Sequence, residues 1–545
     1  ALLTLEISVN SSVLFSGNRI FAFADSKNTV DETDENNNIK HNMADCEFVP
    51  PVGTFNPVKE WQWTGSDANP TSNQVMCAPV VANLNDDNGD GAVDNNDTPD
   101  IIFNSFVGWT YLTGGTLRAV SGDGSGEVFS VTGYSMLPVA SPAVGDIDSD
   151  GLPEIIAVGS YDGGYGIIAF ENDGVFKWKS EIIHTPADSS SVTLSDINED
   201  GVPDIIYADT VINNDGTVRW RGGLGDGNRN SCVADIDLQG HPELVAGNTA
   251  YRSDGTVYWH RDDLYDGLTA IGNFNADPYP EIVLVNGPIT GNWKDKKVYL
   301  LKHSGETIWG PVSVPGTGGG VPVIADFDND GDPEIGVAGA SYYVVFESDG
   351  TEKWKSGTSD YSSAGTGSSV FDFEGDGRSE VVYADENQLR IYDGNPGAET
   401  GKVLFNITVG SGTGRELPVI ADVDNDNNAE IVVVSNTIGN SHGNNGIFVF
   451  GDADDSWVNT RKIWNQYSYH ITNVNDDGTI PRVEANNWET FNNYRQNQML
   501  NPFGCIDLTG SRVRADKSGY PDSVKITARF GNGGALHIAP GAAMS

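Results

Sequence analysis

Asp146-Ile-Asp148-Ser-Asp150-Gly151-Leu-Pro-Glu154-Ile-Ile and Asp326-Phe-Asp328-Asn-Asp330-Gly331-Asp-Pro-Glu334-Ile are two copies of one phrase. Oxygen-bearing side chains fall at positions 1, 3, 5 and 9, with Gly at 6 and apolar runs on either side. Such spacing lets a short loop wrap a hard cation with carboxylate and amide oxygens, while Gly permits the sharp turn. Eight copies begin at Asn83, Asp146, Asp196, Asp235, Asn273, Asp326, Asp372 and Asp422, at intervals of 38 to 63 residues. A turn needs only one or two Asp, Asn or Gly residues. Eight registered grids of acids, which would repel one another unpaired, therefore predict Ca²⁺ loops in a repeat protein.

The copies are unequal. Asp146/Asp148/Asp150/Glu154, Asp196/Asn198/Asp200/Asp204, Asp326/Asp328/Asp330/Glu334 and Asp372/Glu374/Asp376/Glu380 are intact, each with Gly at position 6. Asp422/Asp424/Asp426/Glu430 has Asn427 there, a residue that tolerates the left-handed conformation. These five loops are where Ca²⁺ is expected first. Asp235/Asp237/Glu243 loses a charge at Gln239, and Asn273/Asn275/Asp277/Glu281 puts Pro278 where Gly belongs, so these two are expected to be weakest. The first loop carries an insertion rich in donors, giving Asn83, Asn85, Asp87, Asp90, Asp94 and Asp100 as candidate ligands for one ion or two.

Each unit has a second mark. After the acidic loop come two strands, a turn such as Asp215-Gly216, and a strand ending in an aromatic, as in Phe176-Lys-Trp178, Val218-Arg-Trp220, Val257-Tyr-Trp259, Thr307-Ile-Trp309 and Glu352-Lys-Trp354. Four antiparallel strands repeated eight times predict an all-β fold, an eight-bladed β-propeller, with the tryptophans packed between blades. Phrase and hairpin mark together resemble the FG-GAP (VCBS-type) repeats of integrin-α-like β-propellers, over about residues 55–500. That resemblance implies Ca²⁺ in the loop joining the first two strands of a blade.

Composition narrows the function. Against 31 Lys and Arg stand 77 Asp and Glu, a formal net charge of -46, which repels nucleic acid and anionic membrane surfaces. No run of eighteen apolar residues is present to span a membrane. Ca²⁺ at millimolar concentration is found outside cells, so an extracellular or bacterial cell-surface location is expected. Cys46 and Cys505 flank the repeat region and could pair; Cys77 and Cys232 are expected to be free and buried.

The ends lack the repeat. Residues 1–40 hold Asp25, Val30, Glu32, Glu35, Asn37 and Asn38 in a pattern that resembles the closing strands of a CARDB domain, an Ig-like adhesion module of bacterial surface proteins. Residues 501–545, through Ser523-Val-Lys-Ile-Thr-Ala-Arg529-Phe-Gly531-Asn532, resemble its opening strands. The expected organisation is thus an Ig-like half at 1–40, a linker at 41–59, the propeller at 60–500 and the other half at 501–545. The split Ig-like β-sandwich could join chains head to tail as a homo-oligomer, link modules of a longer polypeptide, or close within one chain.

No His-Glu-x-x-His, Gly-x-Ser-x-Gly or phosphate loop is present, and the eight histidines are scattered. The dense stretch Arg461-Lys-Ile-Trp464-Asn-Gln-Tyr467-Ser-Tyr469-His470 is expected to seal the last blade rather than form a carbohydrate-binding face. The sequence therefore predicts a non-enzymatic, Ca²⁺-stabilised scaffold or adhesion protein assembling into surface filaments. The alternative is a polysaccharide lyase or carbohydrate-binding propeller acting on acidic glycans.

Overall fold

A computed structural model describes residues 21–23, 39–41, 55–184, 191–225, 231–288, 292, 294–438, 443–453, 456–500, 508–516 and 525–532. The chain divides into two compact units, one of residues 1–54 and 499–545, the other Phe55–Gln498. In the first, Phe21–Phe23 pairs with Ile39–His41, and Leu508–Asp516 pairs with Lys525–Asn532, each as a two-stranded antiparallel sheet. The other residues of the expected Ig-like halves, including Cys46 and Cys505, lie outside the described residues.

The second unit is the eight-bladed β-propeller. Blades 3 to 7 are four-stranded antiparallel meanders, for example Val192–Ser195, Asp204–Tyr207, Thr210–Ile212 and Val218–Arg221 in blade 3. Blade 1 holds Val80–Ala82, Asp100–Val107, Gly115–Ser121 and Glu127–Met136, with Ser72–Val75 added beyond its first strand. Blade 2 holds Ala143–Gly145, Glu154–Tyr161, Gly164–Phe170 and Phe176–Lys179, and is joined to blade 1 by the pairing of Gly159 with Met136. Blade 8 takes three strands from residues 419–452, and its outermost strand is Pro57–Trp63 from the other end of the unit. That strand closes the ring and crosses the linker boundary expected at residue 60. Closure by pairing removes the free sheet edges that an open array would expose.

First strands of successive blades touch one another around the axis. They are short and apolar, as in Val80–Ala82, Val323–Ala325 and Val419–Ala421, and their residues are fully buried. Second strands such as Glu281–Asn286 and Glu430–Ser435 are buried on both faces, which explains their continuous apolar runs.

The aromatics that end the fourth strands do pack between blades. Trp220 donates its indole N–H to Ser253 O at 3.0 Å, Trp259 to His303 O at 2.9 Å and Trp309 to Ser348 O at 2.8 Å, each in the next blade. Their rings lie on the glycine of the next blade's hairpin turn. A Cβ at Gly255, where φ is +84°, would stand 2.8 Å from the Trp220 ring. Glycine is needed there twice over, for the backbone and for the contact.

The Arg461–Tyr469 stretch does more than seal the last blade. Residues 464–497 hydrogen-bond to the first strand, or its immediate flank, in all eight blades. Trp464 exchanges two bonds of 2.9 Å with Val81, and Val144 N donates to Asn465 O at 2.9 Å. Leu194 N donates to Gln466 Oε1 at 2.6 Å, and Ser468 Oγ donates to Ser231 O at 2.9 Å. Asn492 accepts from Asn273 N at 2.8 Å, Tyr494 N donates to Ile324 O at 2.9 Å, Arg495 O accepts from Val370 N at 3.1 Å, and Asn497 donates to Ile420 O at 2.9 Å. The first strand of each blade presents one edge of N–H and C=O groups to the axis, and a buried edge must find partners. This polar strap supplies them, which is why a segment so rich in Asn, Gln and Tyr is buried. Trp464, Tyr467 and Tyr469 are buried with it, so they form no open sugar platform.

Candidate functional site

Every acidic loop joins the first and second strands of its blade, and its local hydrogen bonds explain its residue pattern. The position-1 carboxylate caps its own turn: Asp146 accepts from Gly151 N at 3.1 Å, Asp326 from Gly331 N at 2.9 Å and Asp372 from Gly377 N at 2.7 Å. Position 6 is left-handed in blades 2, 3, 4, 6, 7 and 8, with φ +90° at Gly151, +93° at Gly331 and +75° at Asn427. Asparagine thus takes the glycine place as its tolerance of that conformation allows. Pro278 has no N–H to offer, so blade 5 lacks this cap.

The position-9 carboxylate begins the second strand, is buried, and accepts from the backbone N–H of position 2. The distances are 2.9 Å for Ile147 to Glu154, 2.8 Å for Phe327 to Glu334, 3.1 Å for Phe373 to Glu380 and 2.8 Å for Val423 to Glu430. Burial drives these groups toward the neutral form. It pushes Glu154, Asp204, Glu281 and Glu334 up to about 7 and Glu243 to about 8, and raises Glu380 and Glu430 well above the usual carboxylate range. At position 1, burial lifts Asp422 to about 7 and Asp372 to about 6.

Four loops gather carboxylate oxygens within 4.8 Å of one another: Asp422/Asp424/Asp426/Glu430, Asp146/Asp148/Glu154, Asp326/Asp328/Glu334 and Asp235/Asp237/Glu243. Asp150 joins Glu154 and Glu171 in a further group. The Asp235 loop, expected to be weak, is among them. In blade 5 the Asn275 amide donates to Glu281, and Asn273 donates to Asp277 O at 2.8 Å.

Two loops read as intact depart from that arrangement. Among the described residues, neither Asp196, Asn198, Asp200 and Asp204 nor Asp372, Glu374, Asp376 and Glu380 gather into such a group. Asn198, expected as a position-3 ligand, bonds within the turn. Its amide donates to Asp200 Oδ2 at 2.9 Å, and its Oδ1 accepts from Asp200 N at 2.9 Å. Asp376, expected as a position-5 ligand, is exposed and turned to Arg378, accepting from its N–H at 3.0 Å and lying 3.8 Å from its guanidinium. The bond from the position-7 N–H to the position-5 carboxylate recurs at Asp150, Asp330 and Asp426, so it belongs to the turn itself.

Blade 1 is the most informative site. Asp100 takes the position-9 role, 1% exposed, with Oδ2 accepting from Leu84 N at 3.1 Å. Its Oδ1, together with Asn83 Oδ1 and Asn85 Oδ1, is buried without a hydrogen-bond partner. Three orphaned oxygens at positions 1, 3 and 9 are the donor set a hard cation takes. Burial, with Asp87, Asp123 and Asp97 nearby, pushes Asp100 up to about 8. The insertion is itself a copy of the loop: Asp86 accepts from Gly89, Asp90 and Gly91 N–H at 2.7, 3.0 and 2.8 Å, and Gly91 has φ +94°. Asp90 and Asp94 belong to this inner turn, whereas Asp87 stays in the outer loop, accepting from Thr98 N at 3.1 Å. Asp86 and the fully buried Asp97 are participants that the 1-3-5-9 spacing misses, because the inner copy is offset by three residues.

The spacing also misses four basic residues. Lys177 Nζ lies 2.8 Å from Asp148, 3.0 Å from Glu154 and 2.9 Å from Glu171. Lys353 repeats this at 2.8 Å from Asp328, 2.8 Å from Glu334 and 3.1 Å from Glu347. Burial opposes the charge of each ammonium, but the bonds to three carboxylates outweigh it and hold it charged. Arg219 reaches Asp204 at 3.2 Å and Asp200 at 3.5 Å, and Arg252 reaches Asp237 at 2.9 Å and Glu243 at 3.5 Å. The signal in the sequence is the basic residue before the aromatic in Phe176-Lys-Trp178, Val218-Arg-Trp220 and Glu352-Lys-Trp354.

Residues 146–207 and 372–433 match the family model of an FG-GAP-like repeat. The ring is a β-propeller that carries FG-GAP-like repeats over these residues. No curated protein matches the chain. Among solved structures, the V. cholerae biofilm matrix protein Bap1 is similar in fold, with TM-score 0.71 and 23% identity over 82% of this chain and 99% of that one. The exotype rhamnogalacturonan lyase YesX aligns with TM-score 0.47 and 15% identity over 73% of this chain and 75% of that one. For the Bacillus licheniformis rhamnogalacturonan lyase PL11 the values are 0.46 and 16%, over 75% and 77%. Cys77 and Cys232 are free and buried.

Proposed function

We propose that this protein is a non-enzymatic extracellular scaffold or adhesion protein whose propeller is stiffened by Ca²⁺. The observation that carries this is the set of orphaned oxygens in blade 1, within a series of acidic loops on a ring whose axis is filled by its own strap. Bound Ca²⁺ would supply positive charge to buried carboxylates that otherwise take up protons. This chain's residues would do the rest: position 1 shapes the turn, position 6 lets it close, and position 9 anchors the loop to the second strand. The likeness to a biofilm matrix protein supports a matrix or surface setting.

The two strand pairs of the terminal unit support assembly. Two-stranded sheets are marginal alone, and complementary Ig-like halves would complete each other. Head-to-tail filaments are our reading, with joining to modules of a longer polypeptide as the other arrangement and glycans as candidate partners. Electron microscopy of the purified protein with and without chelator tests it: strings of beads support it, and discrete monomers at all concentrations refute filament formation.

An enzyme or glycan-binding protein acting on acidic glycans is the second reading, and Lys296 is the observation for it. Burial, with Arg415 adjacent, pushes this half-buried amine down to about 8, a value suited to proton transfer. Release of unsaturated sugars from an acidic polysaccharide, lost in Lys296→Met, would establish that reading over the scaffold.

A further inference from the structure

We propose that Lys296 and Arg415 form a carboxylate-binding site at the ring's axis, on the face opposite the acidic loops, and that its ligand is a sugar acid of an acidic glycan. This rests on the reading of glycans as partners above, gives that reading a site, and needs no catalysis.

Each acidic loop joins a first strand to a second, so the connections from second to third strand, and from one blade to the next, lie on the other face. Lys296 ends such a connection in blade 5, between Glu281–Asn286 and Lys297–Lys302. Gly319, Gly365 and Arg415 lie in the connections that enter blades 6, 7 and 8. These four segments are bonded in series. Gly318 N donates to Lys294 O at 2.7 Å, Gly319 N to Ala364 O at 2.9 Å, and Ser362 Oγ to Gly412 O at 2.7 Å. Arg415 is hydrogen-bonded to Tyr467 of the strap, which fixes it at the axis.

Lys296 Nζ donates to Gly319 O at 2.9 Å and, among the described residues, forms no ion pair. The charged groups that act on it are Arg415 and Asp360. Asp360 is fully buried and already accepts from Ser363 Oγ at 2.9 Å, Ala364 N at 3.1 Å, Gly365 N at 3.2 Å, and the hydroxyls of Thr366 and Thr413, each at 2.8 Å. A carboxylate has about four lone-pair sites, so these donors fill it. The Lys296 ammonium thus faces a second cation with no carboxylate bonded to it, the reverse of Lys177 and Lys353. Burial, and Arg415 beside it, drive it toward the neutral amine, as happens to no other described lysine. An anion placed between the two cations would offset both effects, and the planar guanidinium suits a carboxylate. Gly365 leaves one side of the amine bare: a Cβ there would stand 3.7 Å from Nζ. Tyr361, next to Asp360, is 57% exposed, and its carbonyl accepts from Lys294. An exposed ring beside a cationic pair suits a pyranose that carries a carboxylate, with one face to stack and one charge to pair. On a chain of net charge -46 this is a local exception, and at physiological salt charges more than about 8 Å away are largely screened from it.

Isothermal titration calorimetry of the full chain tests this, with trigalacturonate, its methyl ester and acetate as ligands, in chelator-free amine buffer and again with Ca²⁺. Trigalacturonate should bind, and the ester and acetate should bind about tenfold more weakly or not at all. Lys296 titrates at about 8, so wild-type affinity should fall about tenfold from pH 7 to pH 9 as the amine loses its proton. Lys296→Met should weaken binding about tenfold or more, whereas Lys296→Arg should bind at pH 9 as it does at pH 7. A flat wild-type pH profile, or a Lys296→Met chain that binds as well as wild type, overturns the site. Ester binding as tight as the acid overturns carboxylate recognition, and acetate binding as tight overturns the glycan as ligand. Binding that needs Ca²⁺ and ignores Lys296→Met places the glycan on the acidic loops instead. Absence of all binding removes this site and leaves Ca²⁺ uptake and filament formation, which are read separately, untouched.

Discussion

Replacing Asp100 with asparagine should raise the melting temperature of the metal-free protein and reduce the gain that Ca²⁺ brings. The Asp100 carboxyl is 1% exposed, bonded through one oxygen to Leu84 N–H, and pushed from its usual 3.8 up to about 8. At pH 7 without metal, the folded state must therefore hold it protonated. Protonating a group of pKa 3.8 at pH 7 costs about 4 kcal/mol at 1.36 kcal/mol per unit. Asparagine removes that cost, keeps an oxygen for Leu84, and brings an N–H₂ group toward the unpartnered oxygens of Asn83 and Asn85. Allowing for relaxation in the folded state, about 2–4 kcal/mol should be recovered. A unit of this size melts about 1 °C higher per kcal/mol, so the chelated variant should gain roughly 2–4 °C. With Ca²⁺ in excess most or all of that advantage should vanish, because an anionic ligand is lost. A site held at a hundred times its Kd contributes about 2.7 kcal/mol, which the variant forfeits in part or whole. Differential scanning calorimetry in chelator and in Ca²⁺ reads both effects. A variant that melts lower than wild type by the same amount in both buffers would show Asp100 to be a packing residue and refute the reasoning.

Stability should also depend on pH in a direction set by the loops. Asp100 and Asp422 titrate at about 8 and about 7 when folded and near 4 when unfolded, so between those values the folded chain holds the extra protons. In chelator, stability should rise as pH falls from 8 to 5, and saturating Ca²⁺ should flatten that slope; a chelated melt that is highest at pH 8 contradicts it. Gly255→Ala forces a left-handed alanine against the Trp220 ring and should cost about 2–3 kcal/mol in urea unfolding, with no change in ion count. Arg495→Met strands the carbonyls of Ser368 and Tyr467 and leaves Pro418 O and the Ser369 hydroxyl with only their bond to each other. It should cost about 3–5 kcal/mol and open residues 461–497 to protease; an unchanged digestion pattern would argue against the strap's role in closing the ring.

Much of this protein is written locally. The acidic loop, its Gly or Asn at position 6, the Asp-Gly turn and the aromatic after it all act within about forty residues, and local turn chemistry and alternation are what a sequence displays. Eight repeats, four strands each, and tryptophans between blades therefore follow from the chain alone. The closing strand was harder. Pro57–Trp63 lies about four hundred residues from its partner Gly446–Asp452, and nothing in its own composition names that partner. The reach of the strap is hidden from the sequence for the same reason: the demand for its polar groups comes from eight strand edges far away in sequence.

The loops divide along this line too. The sequence by itself determined which residues offer oxygens, because their spacing along the chain is the spacing around a turn. Only the tertiary structure decided which oxygens are already paired. A fourth-strand lysine meets the acidic loop of its own blade from about twenty to thirty residues away, through sheet pairing. Burial set the rest: a carboxylate at the head of a second strand is costly until some cation reaches it, and the fold alone determines whether that cation is Lys177, Lys353 or one from solution.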